Sequence, residues 1–175
     1  MELRLGDLIE RSLTGDAHAQ KALYEQFAPS VYRLAVRMVG ANDAADVSQQ
    51  AFVNMFRHLG TFKQQASFST WLYRIVVNEC LQHRRRERHR RKDLPTELLD
   101  RAPGPTQRIE HAELLEMALG RLDENLRAAF LLREVEGLSY EQLAEVLAIP
   151  VGTVASQLNR ARTELRKYLT SMMSE

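Results

Sequence analysis

Apolar side chains recur three and four residues apart along nearly the whole chain rather than in alternation, and only 8 glycines and 5 prolines punctuate its 175 residues. That spacing keeps one face of an α-helix apolar, so it commits the chain to an all-helical fold. A short helix is expected over 4–14, stopped by Gly15, with Asp16 placed to cap the next one. From Ala17 runs the stripe Ala22, Leu23, Phe27, Val31, Leu34, Ala35, Met38, which Pro29 is expected to break or kink between two helices. Gly40 and Asn42 mark a turn before a helix over 43–58 that buries Val47, Ala51, Phe52, Met55 and Phe56, with Asp43 and Asp46 near its positive N-terminal end. The polar loop LGTFKQQAS ends at Ser67, a cap for a long helix reaching about Arg91. Its apolar residues, Phe68, Trp71, Leu72, Ile75, Val76 and Cys80, stop near Leu81. Beyond them HRRRERHRRK has nothing to bury and should project into solvent or onto a polyanion.

Residues 93–106, DLPTELLDRAPGPT, carry three of the five prolines and read as a linker. A second helical block begins at Thr106 or Gln107, with Leu114, Leu115, Ala118, Leu119 and Leu122 as its stripe. Asp123 can cap a helix to about Glu136, and Ser139 a short helix YEQLAEVLA; a tight turn at Ile149-Pro150 leads into a last helix from about Val151 to Leu169. The architecture is two small helical domains, 1–92 and 107–175, joined by a flexible linker over 93–106. The last two helices form a helix-turn-helix. Small Ala144 lets them approach, and Leu143, Leu147, Ile149, Val154 and Leu158 make the shared core. Thr153, Ser156, Gln157, Arg160 and Arg162 face outward, a set of hydroxyl, amide and guanidinium groups suited to base edges and phosphates. An ordinary helical hairpin with a solvated basic face is the plainer alternative; the turn and the polar face together favour DNA.

The formal net charge of +1 hides a segregation. Residues 84–92 hold seven basic side chains and one acidic, residues 93–147 five and twelve, and residues 148–175 four and two. With 45% hydrophobic and 27% charged residues the chain has the balance of a globular protein, not a disordered one. No run of 18 apolar residues and no secretory signal is present, and a single cysteine, Cys80, excludes an internal disulfide framework; a cytoplasmic protein without membrane insertion is expected. The five histidines are scattered, with no nucleophile–base pattern and no phosphate-cradling glycine loop, so no catalytic residue is assigned and no cofactor is expected. Cys80 and His83 lie three apart, but two ligands are too few for a structural zinc site, and no metal is assigned. The aromatic residues Phe62, Phe68, Trp71 and Tyr73 precede the basic run, and aromatics beside cations suit single-stranded bases, although Trp71 falls on the core stripe.

Four collinear segments, ALYEQFAPSVYRLAVRMVG, DAADVSQQAFVNMFRHLGTF, FSTWLYRIVVNECLQHRRR and LSYEQLAEVLAIPVGTVASQLNRAR, resemble the small two-domain sigma factors of the sigma-70 family, the extracytoplasmic-function group, from about residue 17 to 169. The resemblance implies a non-enzymatic specificity subunit of bacterial RNA polymerase, with regions 2 and 4 as its two domains. It implies that the helix at 43–58 docks on the clamp helices of the beta-prime subunit through Asp46, Gln49, Gln50, Phe52 and Arg57, and that region 4 meets the beta flap. It implies that Phe62–Arg86 read and melt the minus-ten element. Lys63, Ala66, Ser67, Phe68 and Asn78 would form the pocket for a flipped non-template base, with Arg84, Arg85 and Arg86 near the backbone. Flipping costs a few kcal/mol, which stacking and cationic contacts can offset. The helix from Val151 would read the minus-thirty-five duplex through Thr153, Ala155, Ser156, Gln157, Asn159, Arg160 and Arg162. Core polymerase, promoter DNA and an anti-sigma factor are the implied partners.

Two departures stand out. Where the family usually reads DAEDVVQEVF, this chain has DAADVSQQAF, so the polymerase-facing surface is less acidic at Ala45 and Gln50. In the recognition helix Ala155 and Gln157 stand where the family usually carries cations, so minus-thirty-five binding should be weaker, less salt-dependent or differently specific. The acidic linker could mimic nucleic acid in the active-site channel. A stand-alone helix-turn-helix regulator of duplex operators is the alternative function, but it leaves 43–91 without a role; a helical protein-interaction module is the third.

Overall fold

The computed structural model describes residues 4–63, 66–92 and 111–173, and every regular element among them is helical. The order is α1 (Leu5–Leu13), α2 (Ala17–Val39), α3 (Ala41–His58), a 3-10 turn (Leu59–Thr61), α4 (Phe68–Lys92), α5 (His111–Arg121), α6 (Glu124–Glu134), α7 (Tyr140–Leu147) and α8 (Val151–Met173). The expected linker, and the expected start of the second block at 106 or 107, lie outside the described residues. The last helix continues four residues past Leu169.

Local capping chemistry sets the helix starts. Asp16 Oδ1 accepts from the amides of His18 at 2.9 Å and Ala19 at 3.2 Å. The Arg11 guanidinium, 2.6 Å from the same carboxylate, holds Asp16 below the usual carboxylate range, and the capped amides add to that. Ser67 Oγ accepts from Thr70 N at 3.1 Å, and Asp123 Oδ1 from Asn125 N at 3.0 Å.

Pro29 does not divide α2, contrary to expectation: the helix runs unbroken from Ala17 to Val39. The ring sits on the exposed side, so the carbonyl that loses its amide partner faces water. Residues on both sides of it, Leu23 and Val31, are fully buried, and that packing holds the two halves in line. Leu115 also departs from its expected place, being 37% exposed, while Ala118, Leu119 and Leu122 on the same stripe are buried.

Helices α1–α4 form one bundle around Leu23, Leu34, Met38, Met55, Leu72 and Val76; α5–α8 form a second around Leu131, Leu132, Leu143 and Leu158. Helix α6 rests on α2 and α7 on α4, so α4 is covered from two sides and buries Tyr73 and Val77 besides its expected stripe. The basic end of α4 is accordingly not all free: Arg84 and Arg88 both meet Glu124 at 2.9 Å. Cys80 is fully buried among apolar neighbours, and burial pushes its thiol up to about 12. Among the described residues no helix is long and apolar enough to cross a membrane.

Candidate nucleic-acid interface

The helix-turn-helix is built by short-range chemistry. Ser139 and Gln142 form a reciprocal capping box at the start of α7, Gln142 N donating to Ser139 Oγ at 3.2 Å and Ser139 N to Gln142 Oε1 at 2.8 Å. Helix α7 ends at Ala148, whose φ of 54° and ψ of 44° put a non-glycine residue in the left-handed region. Pro150 then opens α8, with Thr153 N bonded to its carbonyl at 2.8 Å. Leu143, Val146, Val154, Leu158, Ala161 and Leu165 are buried between the helices and α6, whereas Leu147 and Ile149 of the expected core are only partly covered.

The strained turn yields a direct expectation. Left-handed Ala costs about 1–2 kcal/mol that Gly does not incur, against about 0.4–1 kcal/mol of extra unfolded-state entropy for Gly. Ala148→Gly should therefore raise the stability of the second bundle by about 0.5–1 kcal/mol, read as a higher thermal midpoint by circular dichroism; a lower midpoint would show the strain to be absent.

On α8, Ser156, Asn159 and Arg160 are exposed, and Thr153, Ala155, Gln157 and Arg162 are half-buried. Both cations of this face are paired within the bundle. Arg160 Nε donates to Glu164 Oε1 at 2.9 Å and Arg162 Nη2 to Glu134 Oε1 at 2.6 Å, bonds that raise both guanidinium pKa values further. Gln157 Oε1 is buried and makes no hydrogen bond, in a concavity lined also by Asp123, Asn125, Leu126, Ser156 and Arg160. The face thus offers amide, hydroxyl and guanidinium groups, with a muted positive field.

On α4 the exposed residues Arg74, Asn78 and Arg85 lie seven, eleven and eighteen positions after the capping Ser67, which puts all four on one helix face. No motif or composition marks Arg74 in the sequence, although its i,i+4 spacing to Asn78 signals the shared face. Lys63 is exposed and Ala66 half-buried. Phe68 is 3% exposed, its ring against Phe27, Phe62 and Trp71 at centroid distances of 5.1–5.6 Å, so it supports this face from within and offers no side to a base. The Ser67 hydroxyl is engaged with Ser69, Thr70 and the Thr70 amide. Arg86 turns toward α3, lining a groove with Asp46, Gln50, Glu79 and Arg90, and Arg84 is committed to Glu124.

A third surface lies on α3. Asp46, Gln49, Gln50 and Arg57 are exposed, while Phe52 is 5% exposed and packs edge-on against Tyr24 at 4.6 Å. Two residues missed in the sequence complete it: Val53, 43% exposed between Gln49 and Arg57 on one stripe, and Tyr24, 46% exposed. Asn54 Nδ2 donates to buried Glu79 Oε1 at 2.6 Å and ties this helix to α4. Among the described residues no group of three or more His, Cys, Asp or Glu side chains is placed to hold a metal, and His83 lies 3.2 Å from Asp43.

The family model for sigma-70 region 2 matches residues 23–90, and that for sigma-70 region 4 matches residues 112–165. The chain is 36% identical to the RNA polymerase sigma-H factor of Pseudomonas aeruginosa, over 96% of this chain and 95% of that one. It is 34% identical to the extracytoplasmic-function sigma-E factor of Haemophilus influenzae, over 95% of each. Among solved structures it is similar to CnrH in complex with the cytosolic domain of CnrY, with a TM-score of 0.70 and 27% identity over 94% of this chain and 96% of that one. The sigma factor RpoE of Bartonella quintana, solved with the anti-sigma factor NepR, shares the fold at a TM-score of 0.71 and 23% identity, over 86% and 96%.

Proposed function

Because the chain belongs to the sigma-70 family, in its extracytoplasmic-function group, we propose that its three surfaces divide the work of promoter-specific initiation among polymerase docking, strand capture and duplex reading. Residues 1–92 act as region 2 and 107–175 as region 4. Helix α3 docks on core RNA polymerase through Asp46, Gln49, Gln50 and Arg57, with Val53 and Tyr24 as apolar anchors and Phe52 shaping them from beneath. The α4 face of Ser67, Arg74, Asn78 and Arg85 receives the unstacked minus-ten strand. Helix α8 enters the minus-thirty-five major groove with Ser156, Asn159 and Arg160 leading. The action is binding, not catalysis, in the cytoplasm, and an anti-sigma factor is the regulating partner.

The observation that carries this reading is the alignment of Arg74, Asn78 and Arg85 on one exposed face in the same chain as a capped helix-turn-helix. Two modest sites on one chain gain from effective concentration, so neither needs to bind DNA tightly alone. Each lost base contact is worth about 1–3 kcal/mol. Asn78→Ala and Arg160→Ala should therefore each lower run-off transcription from a two-element promoter by roughly tenfold while still co-eluting with core polymerase. Unchanged transcripts in both variants would remove the assigned DNA surfaces. Failure of the wild-type chain to co-elute with core, together with tight binding to a duplex operator, would favour a stand-alone regulator.

A further inference from the structure

We propose that Asn54 of α3 and Glu79 of α4 are a positioning pair: their hydrogen bond fixes the rotation of α4 about its own axis and so aims Asn78, the residue beside Glu79, at the minus-ten strand. The fixing of the helix stands on packing alone; the aiming rests on the function proposed above.

A carboxylate inside a helical bundle is costly to keep. Glu79 is 8% exposed, on a stretch of α4 whose other buried residues, Val76, Val77 and Cys80, are apolar. Its Oε1 accepts from Asn54 Nδ2 at 2.6 Å, and Asn54 itself is half-buried. Arg86 and Arg90 line the groove on the open side of Glu79, yet the short bond goes to the amide of α3. One bond from a neutral amide returns less than withdrawing a carboxylate from water costs, and an apolar side chain of similar volume would fill the position without that loss. Stability alone therefore does not account for a glutamate here.

What the bond supplies is direction. Where α3 packs on α4 both helices otherwise bury apolar side chains, Val47, Ala51 and Met55 on the first and Leu72, Val76 and Cys80 on the second. Apolar surfaces tolerate small slides and rotations that a bond between two defined atoms does not. Asn78 directly precedes Glu79, and successive side chains point about 100° apart around an α-helix. Holding Glu79 against α3 thus sets where Asn78 points, and with it Arg74 and Arg85 on the same face. The other end of the pair lies among residues assigned to polymerase docking. Asn54 Oδ1 accepts from Gln50 Nε2 at 3.4 Å and from Arg57 Nη1 at 3.5 Å. A single amide therefore joins the two helices, donating to α4 from Nδ2 and accepting at Oδ1 from the exposed side of α3.

Glu79→Met separates aim from stability, because it removes the buried carboxylate, keeps the bulk and leaves the half-buried Asn54 amide within reach of water. Its thermal midpoint by circular dichroism should equal that of the wild type or exceed it. Strand capture is read with holoenzyme assembled from core polymerase and the full chain, as the affinity for a labelled single strand carrying the minus-ten element of the promoter used for run-off transcription. Glu79→Met should co-elute with core polymerase yet bind that strand roughly fivefold more weakly, the lower end of what one base contact is worth. Glu79→Gln, whose amide oxygen still accepts from Asn54, should bind within about twofold of the wild type. Capture by Glu79→Met at the wild-type level overturns the positioning, as does a Glu79→Gln chain as weak as Glu79→Met, which would make the charge and not the bond the active feature. A loss of capture that comes only with a lower midpoint reduces the pair to a brace and overturns the aiming. A wild-type holoenzyme that does not hold the strand at all overturns the functional reading, and the aiming with it.

Discussion

Leu158→Ala should bring the second bundle to the edge of unfolding while leaving the first folded. Leu158 is fully buried and packs with Leu143 and Val154, where α7 meets α8. Truncating it removes three buried carbons and leaves a cavity that the paired helices can only partly close, a loss of about 3 kcal/mol. A bundle of some sixty residues has about 3–9 kcal/mol in hand, so the variant sits near the edge of folding at 37 °C. The first bundle has its own core around Met55, Leu72 and Val76 and does not use Leu158. Thermal unfolding by circular dichroism should show a new low-temperature transition of partial amplitude, and hydrogen exchange should lose protection in α6–α8 before α2–α4. A single transition shifted as a whole would mean that the interface between the bundles makes them one cooperative unit. Where α8 is unfolded, transcription from a promoter that depends on its minus-thirty-five element should fall far more than with Arg160→Ala, because the whole helix proposed to read the duplex is lost rather than one contact.

How legible all this was in the sequence follows the range of the interactions. Asp16, Ser67, Asp123 and Ser139 mark helix starts because a capping side chain bonds an amide two or three residues on, a distance any sequence window contains. The shared core of the helix-turn-helix was readable at Leu143, Val154 and Leu158 for the same reason. The break expected at Pro29 does not occur because a propensity for breaking is outweighed by burial of Leu23 and Val31 on either side of it. The candidate strand-capturing face was half legible: Asn78 and the basic run stand out by composition, whereas Arg74 emerges only once the helix places it on the face of Asn78. Phe68 looked like a stacking platform, and only the packing of Phe27, Phe62 and Trp71 around it shows that its ring is enclosed. Least legible were the pairs between bundles. Arg33 and Glu136 are 103 residues apart, and no local pattern couples them.

Arg127→Met is the sharper probe of what holds the bundles, because Arg127 serves both of them. Its guanidinium is buried; Nη2 bonds Gly120 O at 2.6 Å and Leu122 O at 3.3 Å in the turn between α5 and α6, while Nη1 reaches Met38 O in the other bundle. Burial pulls its pKa down to about 10, with the Arg84 charge adding to the effect, so it stays charged at neutral pH. The folded chain therefore holds this proton less tightly than the unfolded one does. By linkage the charge subtracts from stability at every pH below about 10, and the deficit shrinks only above it. Methionine keeps most of the stem and removes the charge, which taken alone should stabilise. It also leaves buried carbonyls without donors, at about 1–3 kcal/mol for each that water cannot reach. Met38 O has lost its helical partner position near the end of α2 and depends on the arginine most. The balance predicts a net loss of about 2 kcal/mol, seen as a urea midpoint lower by about 1 M with the slope unchanged. A midpoint that rises instead would show that the buried charge costs more than its three hydrogen bonds return, and that the ion pairs at Glu124 and Glu136 alone close the molecule.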